Sequence, residues 1–187
     1  MPRALPLIAL LMLSCTSAVD DFQQLAQFRP EDKYFTASLK GLHFIIESSE
    51  IERVHDMFRT IVEGNAIPTS AAKCRDGTFT GVSPYDAYDY RHEARLDIRG
   101  GRIAAVDYDE VHVSEKAKQT DETYNQEMSA SGTSPALAYP SYERQLLERQ
   151  DLMQVDAVSG ATYSLYRFRY AVALALMKAS LGATAEN

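Results

Sequence analysis

Two runs of alternating apolar and polar residues meet at Gly100-Gly101, and no other pattern in the chain constrains the fold as tightly. Ala94, Leu96 and Ile98 alternate with Arg95, Asp97 and Arg99. Ile103, Ala105 and then Tyr108 or Val111 continue the pattern on the return. A period of two puts one set of side chains on one face of a sheet, and paired glycines accept the positive φ that a tight hairpin turn needs. Upstream, Gly77-Thr78-Phe79-Thr80-Gly81 reads as a further short strand. The expectation is an antiparallel sheet with one face towards a core.

Helical spacing dominates elsewhere. Leu165, Phe168, Val172 and Leu176 fall on one face of a helix from Tyr163 to Leu181. Ala171, Ala175 and Ala179 lie beside them, and Gly182 is the natural stop. Ser141 is suited to cap a helix carrying Tyr142, Leu146 and Leu147. Ser114 to Pro135 is polar and reads as mostly loop, with one helix around Tyr124 to Met128, and Leu152 to Val155 reads as a short strand. Before the sheet, Phe35, Leu39, Leu42 and Ile46 suggest one helix. Ile51, Val54, Phe58, Ile61 and Val62 suggest another, capped by Ser48 or Ser49 and stopped at Gly64. Asn65 to Ala72, with Pro68, reads as a linker. The fold class expected is α+β, an antiparallel sheet with packed helices preceded by an N-terminal helical extension.

The N-terminus reads as an export signal. Arg3 precedes a short apolar stretch, Leu5 to Leu13, too short to span a bilayer, and Ser14-Cys15 follows. That order resembles a bacterial lipoprotein leader, with Met12 where leucine is usual, and makes Cys15 the candidate lipidated residue; plain export with cleavage nearby and an uncleaved anchor are the alternatives. The expected organisation is a signal peptide over 1–14, a tether over 15–33, a helical extension over 34–72 and a domain over 73–182. The implied location is extracytoplasmic, in the cell envelope, held to the membrane by lipid. With Cys15 lipidated, Cys74 stands alone and reads as a small buried residue. A formal net charge of −7 supplies no basic stripe for nucleic acid.

One segment carries a chemical signal. Asp156-Ala157-Val158-Ser159-Gly160-Ala161-Thr162 runs straight into the last helix. A small glycine-containing turn ending in a hydroxyl at a helix N-terminus suits a phosphate, because unpaired N–H groups and the positive end of the helix dipole converge there. Gly160 tolerates a left-handed backbone and Ala161 adds little bulk. The plain alternative is a helix-capping turn. Other constellations are weaker. His43, His55, His92 and His112 have no metal-ligand spacing and read as surface or hairpin residues. Asp121, Glu122 and Glu127 lack the EF-hand pattern, and Ser159 is not in a nucleophile elbow. Most tyrosines fall at core positions; Tyr85, Tyr88, Tyr90 and Tyr163 are the candidates for a ligand-facing role.

From about Asp76 to Met177 the chain resembles the FMN-binding domain of flavin-carrying subunits in membrane redox complexes, and more so its exported lipoprotein versions. The resemblance rests on Asp76-Gly77-Thr78-Phe79-Thr80-Gly81, Gly100-Gly101-Arg102-Ile103, Gln119 to Asn125 with Met128, Gln150-Asp151, and Asp156 to Thr162. It implies FMN joined through its phosphate to Thr162. Asp156, Ser159, Gly160 and Ala161 would be read by a separate FAD-dependent flavin transferase, with magnesium needed for the attachment alone. It also implies an electron carrier and not an enzyme, working between a membrane redox donor and an extracytoplasmic acceptor. Tyr85 to Tyr90 replaces a stretch common in that family, so no ring contact carries over. Two other readings are a lipoprotein that binds or stores flavin without a covalent bond and a flavin-free structural surface lipoprotein.

Overall fold

The computed structural model describes residues 67–86 and 88–181. The leader and Cys15, the tether, the helices expected over 34–64, His43, His55 and the stop at Gly182 lie outside the described residues.

Strands β1 (Gly77–Val82), β2 (Tyr90–Arg99) and β3 (Arg102–His112) form an antiparallel sheet in that order. Arg99 pairs with Arg102, leaving Gly100 and Gly101 as a two-residue turn with φ of 57° and 70°. Both angles are left-handed, as the glycine pair leads one to expect. The inward set on β2 is His92, Ala94, Leu96 and Ile98. On β3 the inward set departs from simple alternation. Ile98 faces Ile103, but Asp97 faces Ala105, so Ala104 is an extra residue in the ladder. The bulge shifts the phase: Ala105, expected inside, is exposed, while Tyr108 and Glu110 are buried.

Helix α1 (Glu122–Ser129) is capped by Asp121, whose carboxylate accepts the Tyr124 N–H at 3.1 Å. Helix α2 (Pro135–Arg149) begins well before Ser141, the cap expected from sequence; Ser134 occupies that place and Pro135 opens the helix. Proline suits a first helical position, where its missing N–H has no partner anyway. Pro140 lies inside α2 and removes one backbone bond. The neighbouring Ala138, Tyr139 and Tyr142 are buried, and their burial offsets the loss.

Leu152 to Gln154 is a single 3₁₀ turn and not the expected strand. Asp151 caps it through the Met153 N–H, and the Leu152 N–H goes to Thr69 O at 2.7 Å, so no strand edge is left for it to join. The same bond shows that residues 67–72 are packed and not a free linker, with Ile67 and Ala71 in the core.

Helix α3 (Thr162–Ser180) crosses the inner face of the sheet and is buried nearly all round, from Leu165 and Tyr166 through Phe168–Met177 to Ala179. The single apolar face read from the sequence was too narrow. Each fully buried Leu, Val or Phe on α3 contributes about 1.5–3 kcal/mol. The closest approach is at Gly81, where a Cβ would lie 2.1 Å from Ala171 O and 2.6 Å from Ala175 N. On the far side, α2 lies along the β3 edge and satisfies it with side chains. Gln150 both accepts the Ile103 N–H and donates to its carbonyl, at 2.8 and 3.0 Å, and Glu143 accepts the Tyr108 N–H at 2.7 Å. An open strand edge is thereby closed to another chain.

Candidate functional site

The turn before α3 is held from three directions. Gly160 has φ +81°, and a Cβ there would sit 3.1 Å from Ser131 O and 3.2 Å from the Thr133 methyl. Both the backbone angle and the close approach call for glycine. From α2, the Tyr142 hydroxyl donates to Ala161 O at 2.6 Å. Burial pushes that phenol up to about 12, so it remains a donor at neutral pH. One turn along α2, Gln145 accepts the Asp156 N–H at 2.8 Å and donates to its carbonyl at 3.3 Å. From α3, the buried Arg169 donates to Val155 O at 2.7 Å and Met153 O at 3.3 Å. The backbone of the turn is therefore fixed before anything binds.

Against this frame the predicted site residues fall as follows. Asp156, Ser159 and Gly160 are exposed, and Ala161 and Thr162 are half-buried. Asp156 pairs with Arg149 at 2.7 Å. Ala161 is the N-cap, with φ −127° and ψ 31°, and no side chain caps the helix. Thr162 is the first helical residue, and the first backbone bond of the helix runs from the Leu165 N–H to Ala161 O. The hydroxyl is therefore not spent on capping, and it stands where helix geometry leaves N–H groups directed outward.

The aromatic candidates split. Tyr163 beside Thr162 is 43% exposed, and Tyr88 in the β1–β2 connection is 72% exposed. Tyr90 is half-buried, packed edge-on against His112 with Lys118 Nζ 3.9 Å from its ring centre. Tyr108, Tyr139, Tyr142 and Tyr170 are core residues; the spacing predicted this for Tyr108 and Tyr142 alone. Cys74 is half-buried with Sγ 3.6 Å from Leu176 O, and burial pushes its thiol up to about 11.

A second cluster was not singled out in the sequence. His92, read as a surface or hairpin residue, is on the hairpin but fully buried. Its Nε2 lies 3.5 Å from Asp86 Oδ2 and its Nδ1 3.9 Å from Glu110 Oε2. Lys118 Nζ reaches the same Glu110 oxygen at 2.7 Å, and Arg167 spans Glu110 at 3.3 Å and Asp86 at 3.6 Å. Burial works against the charge of Glu110, but His92, Lys118 and Arg167 bring its carboxyl down to about 2. Burial opposes Asp86 as well. The His92 contact and the Tyr90 and Tyr88 N–H groups outweigh it and hold Asp86 well below the ordinary range. Lys118 and Arg167 are raised: burial acts to lower both, and the attraction of Glu110 prevails. One signal for this cluster was available, since His92 is in phase with Ala94, Leu96 and Ile98. Glu110 was hidden by the bulge.

No protein-family model matches the chain. The "15 kDa lipoprotein" of Treponema pallidum is 31% identical over 96 residues, which span 50% of this chain and 68% of that protein. The chain belongs to the family of that lipoprotein. The fold is also that of the crystal structure of the CPE2226 protein from Clostridium perfringens, at 28% identity and a TM-score of 0.55, covering 58% of this chain and 91% of that one.

Among the described residues, no helix is long and apolar enough to cross a membrane, and no group of three or more His, Cys, Asp or Glu could hold a metal ion. Several residues behind the flavin-domain resemblance act here as staples. Asp76 accepts the Gly100 N–H at 2.7 Å. Asn125 donates to the carbonyls of Lys118, Gln119 and Asp121 and accepts the Ala136 N–H at 2.9 Å. Gln150 seals the β3 edge.

Proposed function

We propose that this chain is an exported lipoprotein, anchored through Cys15, that carries FMN esterified to Thr162 and serves as an electron carrier. The observation that carries the reading is the state of Thr162. Its hydroxyl begins α3, performs no capping role, and sits on a turn pinned by Tyr142, Gln145 and Arg169. A carrier of this kind needs a fixed, reachable hydroxyl and no acid–base machinery of its own.

The residues fit the group. A phosphodiester on Thr162 keeps one negative charge, which a helix N-terminus favours by about 0.3–1 kcal/mol. Ser159, Gly160 and Ala161 would flank it, and the bend at Gly160 keeps side-chain bulk away from the approach. Asp156, exposed and braced by Arg149, is presented for recognition by an FAD-dependent flavin transferase that uses magnesium. Bound FMN supplies one- and two-electron redox chemistry, and the protein sets its position. Covalent attachment suits a protein facing dilute medium, where a cofactor held at micromolar affinity would be lost by mass action. The electron donor would lie in the membrane and the acceptor outside the cytoplasm.

The test is intact mass. Co-expression with a flavin transferase should add the mass of FMN less one water, and Thr162→Val should abolish the gain. Yellow colour that passes into the filtrate on denaturation would instead mean non-covalent flavin. A colourless protein of unchanged mass would leave a flavin-free lipoprotein.

A further inference from the structure

Every large apolar side chain that stands exposed among the described residues lies at one end of the molecule: Tyr85, Tyr88, Val113, Leu137 and Tyr163. We propose that this end is the docking face for a partner protein that presents basic side chains around an apolar patch, namely the protein that exchanges electrons with the group on Thr162. The choice of an electron-transfer partner rests on the flavin reading; the docking face itself does not.

Topology gathers these residues from separate segments. Both strand pairs are antiparallel, so the end of β1, the start of β2 and the end of β3 meet there. Helix α3 runs against β1. Ala179 O in its last turn accepts the Arg75 N–H ahead of β1, while Arg167 in its second turn reaches Asp86 beyond β1. Thr162 and Tyr163 are therefore at the same end as the β1–β2 connection with Tyr85 and Tyr88. Helix α2 passes β3 from Glu143 at Tyr108 to Gln150 at Ile103, which puts its first turn, with Leu137, at this end as well. Gly160 lies against Ser131 and Thr133 just ahead of α2, so the first turns of α2 and α3 adjoin. The Val113 N–H donates to Asp89 O at 2.8 Å and ties the end of β3 to the same connection. The opposite end, with the Gly100-Gly101 turn and the last turns of α2 and α3, exposes no large apolar side chain among the described residues. Single exposed apolar residues are ordinary on any surface, but their confinement to one end marks a contact face.

Charge selects the partner. At this end Arg91 is matched by Glu115 at 2.9 Å and Lys116 by Asp121 at 2.7 Å. Lys118 and Arg167 are taken up by the buried Glu110 and Asp86. Asp89, Glu122 and Glu127 are exposed, and no cation among the described residues pairs with them. The face is therefore apolar and acidic together. An anionic membrane surface is repelled by those charges, whereas a protein with lysines or arginines around an apolar patch complements them. Opposite charge speeds and orients the encounter, and buried aromatic side chains supply most of the binding energy. Docking here also sets the partner against the residue proposed to carry the redox group.

Nuclear magnetic resonance of the isotope-labelled, flavin-free full chain tests this, with mitochondrial cytochrome c as the probe because lysines ring its exposed haem edge. At low ionic strength, amide shifts should be confined to this end of the molecule, and high salt should abolish them. Tyr88 is largely exposed, so Tyr88→Ser leaves the core intact; it should weaken binding about tenfold. Glu122→Gln should weaken binding and flatten its salt dependence. No binding, shifts centred on the Gly100-Gly101 end, shifts indifferent to salt, or affinity unchanged in Tyr88→Ser would each overturn the proposal. Intact mass reads the flavin separately. A chain that gains FMN but shows no shifts loses the docking face and keeps the carrier; a chain that docks without gaining FMN does the reverse.

Discussion

Gly81 and Gly100 would respond to the same substitution for different reasons. A Cβ at Gly81 meets the backbone of α3, which cannot step aside without moving the whole helix. Gly81→Ala should cost about 3 kcal/mol, as overpacking at its severe end. A Cβ at Gly100 meets nothing within 4 Å, but its φ of 57° is left-handed. Gly100→Ala should cost about 1 kcal/mol through the backbone alone. Denaturant midpoints of the two variants separate the mechanisms, and equal midpoints would contradict them. Cys74 allows a simpler check. With its thiol pushed up to about 11 by burial, it should react with a disulfide reagent only on unfolding, and rapid labelling of native protein would count against its placement.

Between elements, α2 has two tasks: it holds the Thr162 turn through Tyr142 and Gln145, and it closes the β3 edge through Glu143 and Gln150. Tyr142→Phe leaves a buried ring but removes one of the two donors to the Ala161 carbonyl, the other being the Leu165 N–H, a loss of about 1 kcal/mol. If the flavin reading holds, the rate of attachment to Thr162 should fall with it. Glu143 gives a pH dependence with a definite sign. Burial pushes its carboxyl up to about 7; the Tyr108 N–H opposes this, while Asp107 and Asp109 add to it. The folded protein therefore holds this proton more tightly than the unfolded chain. Its contribution is complete below about pH 4.5 and is lost as pH rises through 7. Glu143→Gln keeps the acceptor without the charge. It should raise stability at pH 8 by about 1 kcal/mol once solvent screening of this half-buried group is allowed for, and change little at pH 4.5. Glu110 has the opposite sign. Its carboxyl, brought down to about 2, contributes stability above about pH 4.5 that fades as pH falls towards 2.

Across the whole molecule, the parts legible in the sequence were those set by local chemistry. The Gly100-Gly101 turn, the first two strands and α3 follow from period and from glycine. What was not legible depended on partners distant in the chain. The bulge at Ala104 carried Ala105 outward and Glu110 inward. The start of α2 at Pro135 was hidden because Ser141 looked like a cap, and Ser134, which takes that place, makes no side-chain capping bond. Leu152 to Gln154 became a 3₁₀ turn because its amide met Thr69. At the site, Gly160 and the placement of Thr162 at the head of α3 were readable, whereas the clamps from Tyr142, Gln145 and Arg169 were not, since nothing local marks them. The His92 cluster combines residues from two strands, two connections and a helix, so no single stretch announces it.

The most direct measurement is the intact mass of the protein purified from its native envelope, set beside that of Thr162→Val expressed in the same cells. Native protein should carry lipid on Cys15 and FMN less one water on Thr162, and the variant should keep the lipid and lack the flavin. A native mass with lipid alone, or a variant that still gains the flavin mass, would contradict the assignment of Thr162 as the point of attachment.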